Sequence, residues 1–164
     1  DIFEDARAIA ERRRIPLIVD SRFRLTDLSN ATTATPNREE VEQILGENFT
    51  AADCSELRSQ LGLEALLVTN GNQGMLLCEK DKAPLKIDVV GSTEPVDVTG
   101  AGDTVIAAYA LGLASGLSFA DAANIANHAG GLVVMKKGTA SVTADELLES
   151  LRAAETTGSS TTAG

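Results

Sequence analysis

Apolar runs too short to be helices alternate along this chain with stretches of helical period. That alternation points to a sheet whose strands are joined by helices. The run IPLIVD, ending at Asp20, and the run ALLVTN, residues 65–70, are apolar without a polar face, as strands covered on both sides are. A shorter strand spans residues 31–35 and stops at Pro36. Between these runs, Ile2, Phe3, Ala6, Ile9 and Ala10 mark a helix over the first fourteen residues. REEVEQIL sets Val41, Ile44 and Leu45 on one face before Gly46, and residues 54–61 repeat the helical pattern. MLLCEK and LKIDVV, joined by KDKAP, read as an antiparallel meander, so a mixed sheet is expected. Three helices follow, over residues 103–115, 118–136 and 144–154, with Thr143 as N-cap of the last. Ser118 with Asp121 and Thr143 with Glu146 have capping-box spacing. The polar stretch TTGSSTTAG places a disordered tail at residues 155–164, outside one domain spanning 1–154.

This order of elements predicts an α/β, three-layer, Rossmann-like sheet flanked by helices. Active sites in such sheets form where loops leave the C-terminal ends of strands, here after Asp20, Thr35 and Thr69. A chain of 164 residues buries roughly 70% of its unfolded surface, enough for one core. Its 24 acidic against 14 basic side chains leave a net charge of −10. Phosphate-backbone contacts then lack the lysines and arginines that would release counterions, which excludes general nucleic-acid binding and disfavours anionic membranes. No run approaches the ~20 apolar residues of a membrane span, and DIFEDARAIA lacks an export signal's basic and apolar regions, so a cytoplasmic location is expected. Cys54 and Cys78 have no CxxC spacing and read as reduced thiols. A single histidine, His128, excludes His-rich zinc sites and triads with histidine as base, and reads as structural or surface.

The chemistry concentrates in PVDVTGAGDTVIAAYALG. Gly100, Ala101 and Gly102 precede a helix expected to start near Asp103; small residues there let backbone N–H groups approach an anion, and the helix N-terminus adds partial positive charge. Asp103 would repel a bound phosphate unless its task is to take a proton from an incoming hydroxyl, and phosphoryl transfer has that need. A glycine turn whose aspartate merely caps the helix is the alternative from spacing alone. GAGDTV lacks the third glycine of GxGxxG, and no GxxxxGK[ST] loop occurs, so neither common nucleotide cradle is present.

At this segment, DVTGAGD from Asp97 to Asp103, the sequence resembles the ribokinase-like, or PfkB, family of carbohydrate kinases, whose signature is DTxGAGD. TPNREE, with Asn37 and Glu40 as NxxE, and VTNGNQG, with Thr69, Gly71 and Gly74 as TxGxxG, stand in the order expected of that family. VDVTGAGDTVIA, TPN and VVMKKGTASVT look most like heptose-phosphate kinases, including the kinase part of bifunctional heptose kinase and nucleotidyltransferase enzymes. The resemblance implies a ribokinase-like fold and ATP-dependent phosphorylation of a sugar or sugar phosphate such as D-glycero-D-manno-heptose 7-phosphate. It makes Asp103 the catalytic base and Gly100, Ala101 and Gly102 the anion hole. Asn37 and Glu40 would hold Mg²⁺ and phosphates, Glu40 through water, which suits an ion that keeps its hydration shell. Thr69, Gly71 and Gly74 would lie along the nucleotide phosphates, Asn127 and Gly130, with Gly131, beside adenine, and residues 136–141 over it. Asp97 and Thr99 resemble a monovalent-cation site, which makes K⁺ activation an option. Arg22 and Arg24 could reach a phosphorylated ligand. The match covers the C-terminal part of such a kinase domain. Pairing with the N-terminal half, which would carry the lid and a GG-bearing sugar segment, or homo-oligomer formation is therefore expected. The competing functional reading is a non-catalytic nucleotide-binding or regulatory module derived from such a kinase; a purely structural fragment pairing through an open sheet edge is a third.

Overall fold

The computed structural model describes residues 1–20, 24–91, 96–138 and 140–158. Its elements are α1 (Ile2–Arg13), β1 (Ile18–Val19), β2 (Thr33–Ala34), α2 (Arg38–Leu45), α3 (Ala51–Gln60), β3 (Ala65–Thr69), β4 (Met75–Glu79), β5 (Leu85–Ile87), α4 (Ala101–Ala114), α5 (Phe119–Val133) and α6 (Ala144–Gly158). The strands form one sheet in the order β1-β2-β3-β4-β5. β1, β2 and β3 run parallel, and β4 and β5 turn antiparallel, so the sheet is mixed.

The central strand explains the layering. Ala65, Leu66, Leu67 and Val68 are no more than 2% exposed. Successive strand side chains face opposite ways, so Leu66 and Val68 enter one core while Ala65 and Leu67 enter the other. The first core is closed by Val41 of α2 and by Cys54 and Leu57 of α3. The second is closed by Val105 and Tyr109 of α4 and by Ala122, Ala123 and Ala126 of α5. Each fully buried leucine contributes roughly 1.5–3 kcal/mol of transfer free energy. The alanines of α5 serve close helix packing: a Cβ on Gly112 of α4 would stand 2.9 Å from that of Ala122. Tyr109 shares a hydrogen bond of 3.2 Å with Thr33 Oγ1, and burial pushes its phenol up to about 12.

Several boundaries differ from the sequence reading, for local reasons. β1 and β2 pair over two residues each rather than the whole of IPLIVD and residues 31–35. The Ile15 N–H bonds back to Ala10 of the helix, and the Leu17 carbonyl accepts from both Thr32 and Thr33, which breaks the ladder. α3 starts three residues before Cys54 because Thr50 and Asp53 form a reciprocal capping box. α4 starts at Ala101, two residues before Asp103, with Gly100 as cap. α5 ends at Val133, three residues short of Lys136, since the Val134 carbonyl accepts the N–H groups of Val96 and Asp97. α6 continues to Gly158, so residues 155–158 of the expected tail are helical; residues 159–164 lie outside the described residues. No helix among the described residues is long and apolar enough to cross a membrane.

Candidate active site

The start of α4 sits where the C-terminal ends of the parallel strands open. Gly100 adopts φ +76°, a left-handed conformation that costs other residues about 1–2 kcal/mol, and from it the helix departs at Ala101. The Ala101 N–H is spent on the Val98 carbonyl at 3.2 Å. Those of Gly100, Gly102 and Asp103 have no partner among the described residues, so they remain available to an anion. The expected three-residue cradle is thereby corrected at one position: Ala101 shapes the turn but its own amide is occupied. Gly102 meets nothing where a Cβ would stand, which leaves open space beside the helix end.

Two clefts meet there. The first, about 180 Å³, is walled by Met75, Val89, Val98, Val105 and Val134. Thr69, Gly71, Asn72, Gly74, Ala101, Gly102, Asn127, Gly130 and Gly131 complete its lining. Its apolar sides and glycine floor suit a flat ring carrying polar edges. The second, about 120 Å³, gathers Asp20, Thr35, Asn37, Glu40, Thr69, Gly102, Asp103, Val105 and Ile106. Thr69, Gly102 and Val105 line both, so the clefts adjoin at the first turn of α4.

Asp103 is exposed and lines the second cleft, with no hydrogen-bond or ion-pair partner among the described residues. Glu40 is 7% exposed, and its carboxylate accepts from the Asn37 N–H and Nδ2, both at 3.0 Å. Asn37 Oδ1 in turn accepts the Glu40 N–H at 2.9 Å. The pair is thus a capping box for α2 as well as part of the cleft wall, and one arrangement serves both. The carboxylates of Asp20, Glu40 and Asp103 are hard oxygen donors. Among the described residues no three His, Cys, Asp or Glu side chains converge tightly enough to enclose a metal ion. The set fits an ion that keeps its waters, not an all-protein cage.

Elsewhere the candidates do structural work that spacing could not disclose. Asn127 is 4% exposed and donates to the Asp88 carbonyl at 2.7 Å. A Cβ on Gly131 would stand 2.2 Å from the Val90 carbonyl oxygen, and one on Gly130 would stand 2.9 Å from Val105 Cγ2. Gly74, at φ +84°, would bring a Cβ within 2.1 Å of the Ile87 carbonyl oxygen. Asp97 and Thr99 line neither cleft. The Asp97 carboxylate accepts the N–H groups of Thr99 and Gly138, each at 2.9 Å, and these bonds, Thr99's first, hold its pKa below the usual carboxylate range. Within residues 136–141, Lys136 donates to the Ser141 carbonyl and pairs with Glu146 at 2.7 Å, which lowers the Glu146 pKa to about 2. His128 is buried, meets Ser150 Oγ at 2.7 Å and has its pKa lowered by desolvation. Cys54 and Cys78 are free and buried. Arg24 pairs with Asp27 at 3.0 Å, and Arg22 lies outside the described residues. Asp20 and Thr35 are polar residues of the second cleft that were not singled out as site residues, although each directly follows a strand, β1 and β2, whose loop was expected to open the site.

The architecture is that of the ribokinase-like fold. The ribokinase of Arabidopsis thaliana complexed with ribose and ATP superimposes with a TM-score of 0.81 at 23% identity, covering 92% of this chain and 52% of that one. Phosphofructokinase-2 of Escherichia coli in complex with potassium gives 0.79 at 20%, covering 93% and 52%. The bifunctional protein HldE of Nitrosococcus oceani is 43% identical over 157 residues, 90% of this chain and 33% of HldE. HldE of Coxiella burnetii is 42% identical over 147 residues, 87% and 31% respectively. Residues 1–146 match the pfkB family carbohydrate kinase, and the chain belongs to that family. It spans about a third of the length of these HldE relatives.

Proposed function

We propose that this chain is the nucleotide-binding and catalytic-base portion of an ATP-dependent kinase acting on a sugar-phosphate hydroxyl, with D-glycero-D-manno-heptose 7-phosphate as acceptor. The observation that carries the reading is the junction of an apolar, glycine-floored cleft with an acidic one at Gly102, beside Asp103, which has no partner among the described residues. Adenine would occupy the apolar cleft. Its phosphates would pass Thr69, Gly71 and Gly74 toward the amides of Gly100, Gly102 and Asp103. Those amides neutralise charge on the transferring phosphoryl group, where the helix end adds its partial positive charge. Asp103 orients the acceptor hydroxyl and takes its proton as the phosphoryl group arrives, a late transfer for which a weakly basic carboxylate suffices. Bound Mg²⁺ would supply charge neutralisation on the phosphates, and Glu40 and Asn37 would hold its hydration shell. Potassium, where it activates, would act on the turn that Asp97 fixes. The exposed Asp103 speaks against the non-catalytic alternative, because a pure phosphate binder is weakened by an acid beside its anion.

The acceptor pocket is assigned to residues outside this chain. Proximity supplies a large part of phosphoryl-transfer catalysis, so the chain alone should bind ATP weakly and turn over undetectably. Joined to the N-terminal region of an HldE relative, it should phosphorylate heptose 7-phosphate in preference to unphosphorylated ribose or fructose. Robust turnover by the chain alone, or no preference among those acceptors, contradicts this reading.

A further inference from the structure

Thr35 ends β2's approach to the cleft, just before Pro36, and is 7% exposed. Its backbone N–H is committed to the sheet, donating to the Val19 carbonyl at 3.1 Å. Its hydroxyl is buried and has no hydrogen-bond partner among the described residues. A buried hydroxyl left in that state destabilises the fold, and valine would fill the same volume without it. The other buried atoms without partners, on Arg7, Ser55 and Arg58, line neither this cleft nor its neighbour. Among the described residues, an unsatisfied hydroxyl is therefore singled out in the cleft that Asp20, Glu40 and Asp103 line.

The charge around it narrows what it meets. Three acidic side chains line this space, a donor set that suits a species arriving with a hard cation. A hard divalent ion keeps its waters, and a metal-bound water is a strong hydrogen-bond donor that seeks neutral or anionic acceptors. The Thr35 oxygen offers free lone pairs at that wall. Resting on the phosphoryl-transfer reading above, we propose that Thr35 is a positioning residue whose hydroxyl accepts a hydrogen bond from a water of the divalent cation carried in with the nucleotide. It orients the hydrated ion between Asp20 and Glu40 without touching the reacting atoms.

The test compares the unsubstituted chain with Thr35→Val and Thr35→Ser for binding of Mn·ATP, binding of ATP in EDTA, and thermal midpoint without ligand. Thr35→Val should weaken Mn·ATP binding about tenfold, the loss of one bond to a cation-bound donor, and leave metal-free ATP binding unchanged. Its ligand-free midpoint should rise, because an unsatisfied hydroxyl has gone. Thr35→Ser should bind Mn·ATP like the unsubstituted chain. Unchanged Mn·ATP affinity in Thr35→Val overturns the assignment, as does an equal loss with and without metal. A lower ligand-free midpoint also overturns it, since that marks a structural bond. Failure of the unsubstituted chain to bind either form of ATP defeats the nucleotide reading itself, and the role of Thr35 falls with it.

Discussion

At the residue scale, burial and hydrogen bonding separate groups that sequence spacing treats alike. Asp103 and Glu40 are both acids in the first turn of a helix, yet one is exposed and unpartnered while the other is buried and doubly bonded to Asn37. Spacing pointed to Asp103 through GAGD, whereas Glu40 was marked only by the family resemblance, through NxxE. The orphaned hydroxyl of Thr35 was not legible, because what it lacks is a tertiary partner and no local pattern encodes an absence. His128 illustrates the same limit: a lone histidine proves to be a buried tie between α5 and α6. Burial lowers its folded-state pKa from 6.5, so on acidification the unfolded chain takes up a proton first and stability falls as pH drops below that value. Urea midpoints on either side of pH 6.5 should show this slope, and His128→Asn, which can still meet Ser150, should lose it. An identical slope in the variant would remove His128 as its source.

At the scale of elements, helices were easier to read than strands. Caps are local: Ser118, Thr143 and Gly46 announce helix ends within a few residues, while the unread box of Thr50 with Asp53 hid the first three residues of α3. The lengths of β1 and β2 depend on what the neighbouring strand offers, and the doubly accepting Leu17 carbonyl is invisible from IPLIVD alone. Glycines show the difference between folding and function most directly. Gly131→Ala would drive a methyl group against the Val90 carbonyl and should cost about 1–3 kcal/mol, as overpacking does. Gly102→Ala meets no atom and should instead stabilise α4 by roughly 0.5–1 kcal/mol. Its methyl group would nevertheless enter the space where the two clefts join, so nucleotide affinity should fall while the thermal midpoint rises. Thermal melts and nucleotide titration of both variants check this; a destabilised Gly102→Ala with normal affinity would reverse the assignment.

At the scale of the whole molecule, the three layers follow from β3, whose alternate side chains feed two cores and whose run ALLVTN was the clearest strand in the sequence. The convergence of Asp20, Thr35 and Thr69 on one cleft was foreshadowed by the rule that parallel strands open their sites at C-terminal ends. The adjacency of that cleft to the apolar one was not, since it requires α4 and α5 to pack through Gly112 and Gly130. Proton removal by the acid at this junction is the central role proposed for the molecule. It is tested most directly by measuring kcat and ATP affinity for Asp103→Asn in the kinase that combines this chain with its N-terminal region. A fall in kcat of about 10²–10⁴-fold with ATP affinity unchanged is expected. Near-normal turnover in that variant would contradict the account.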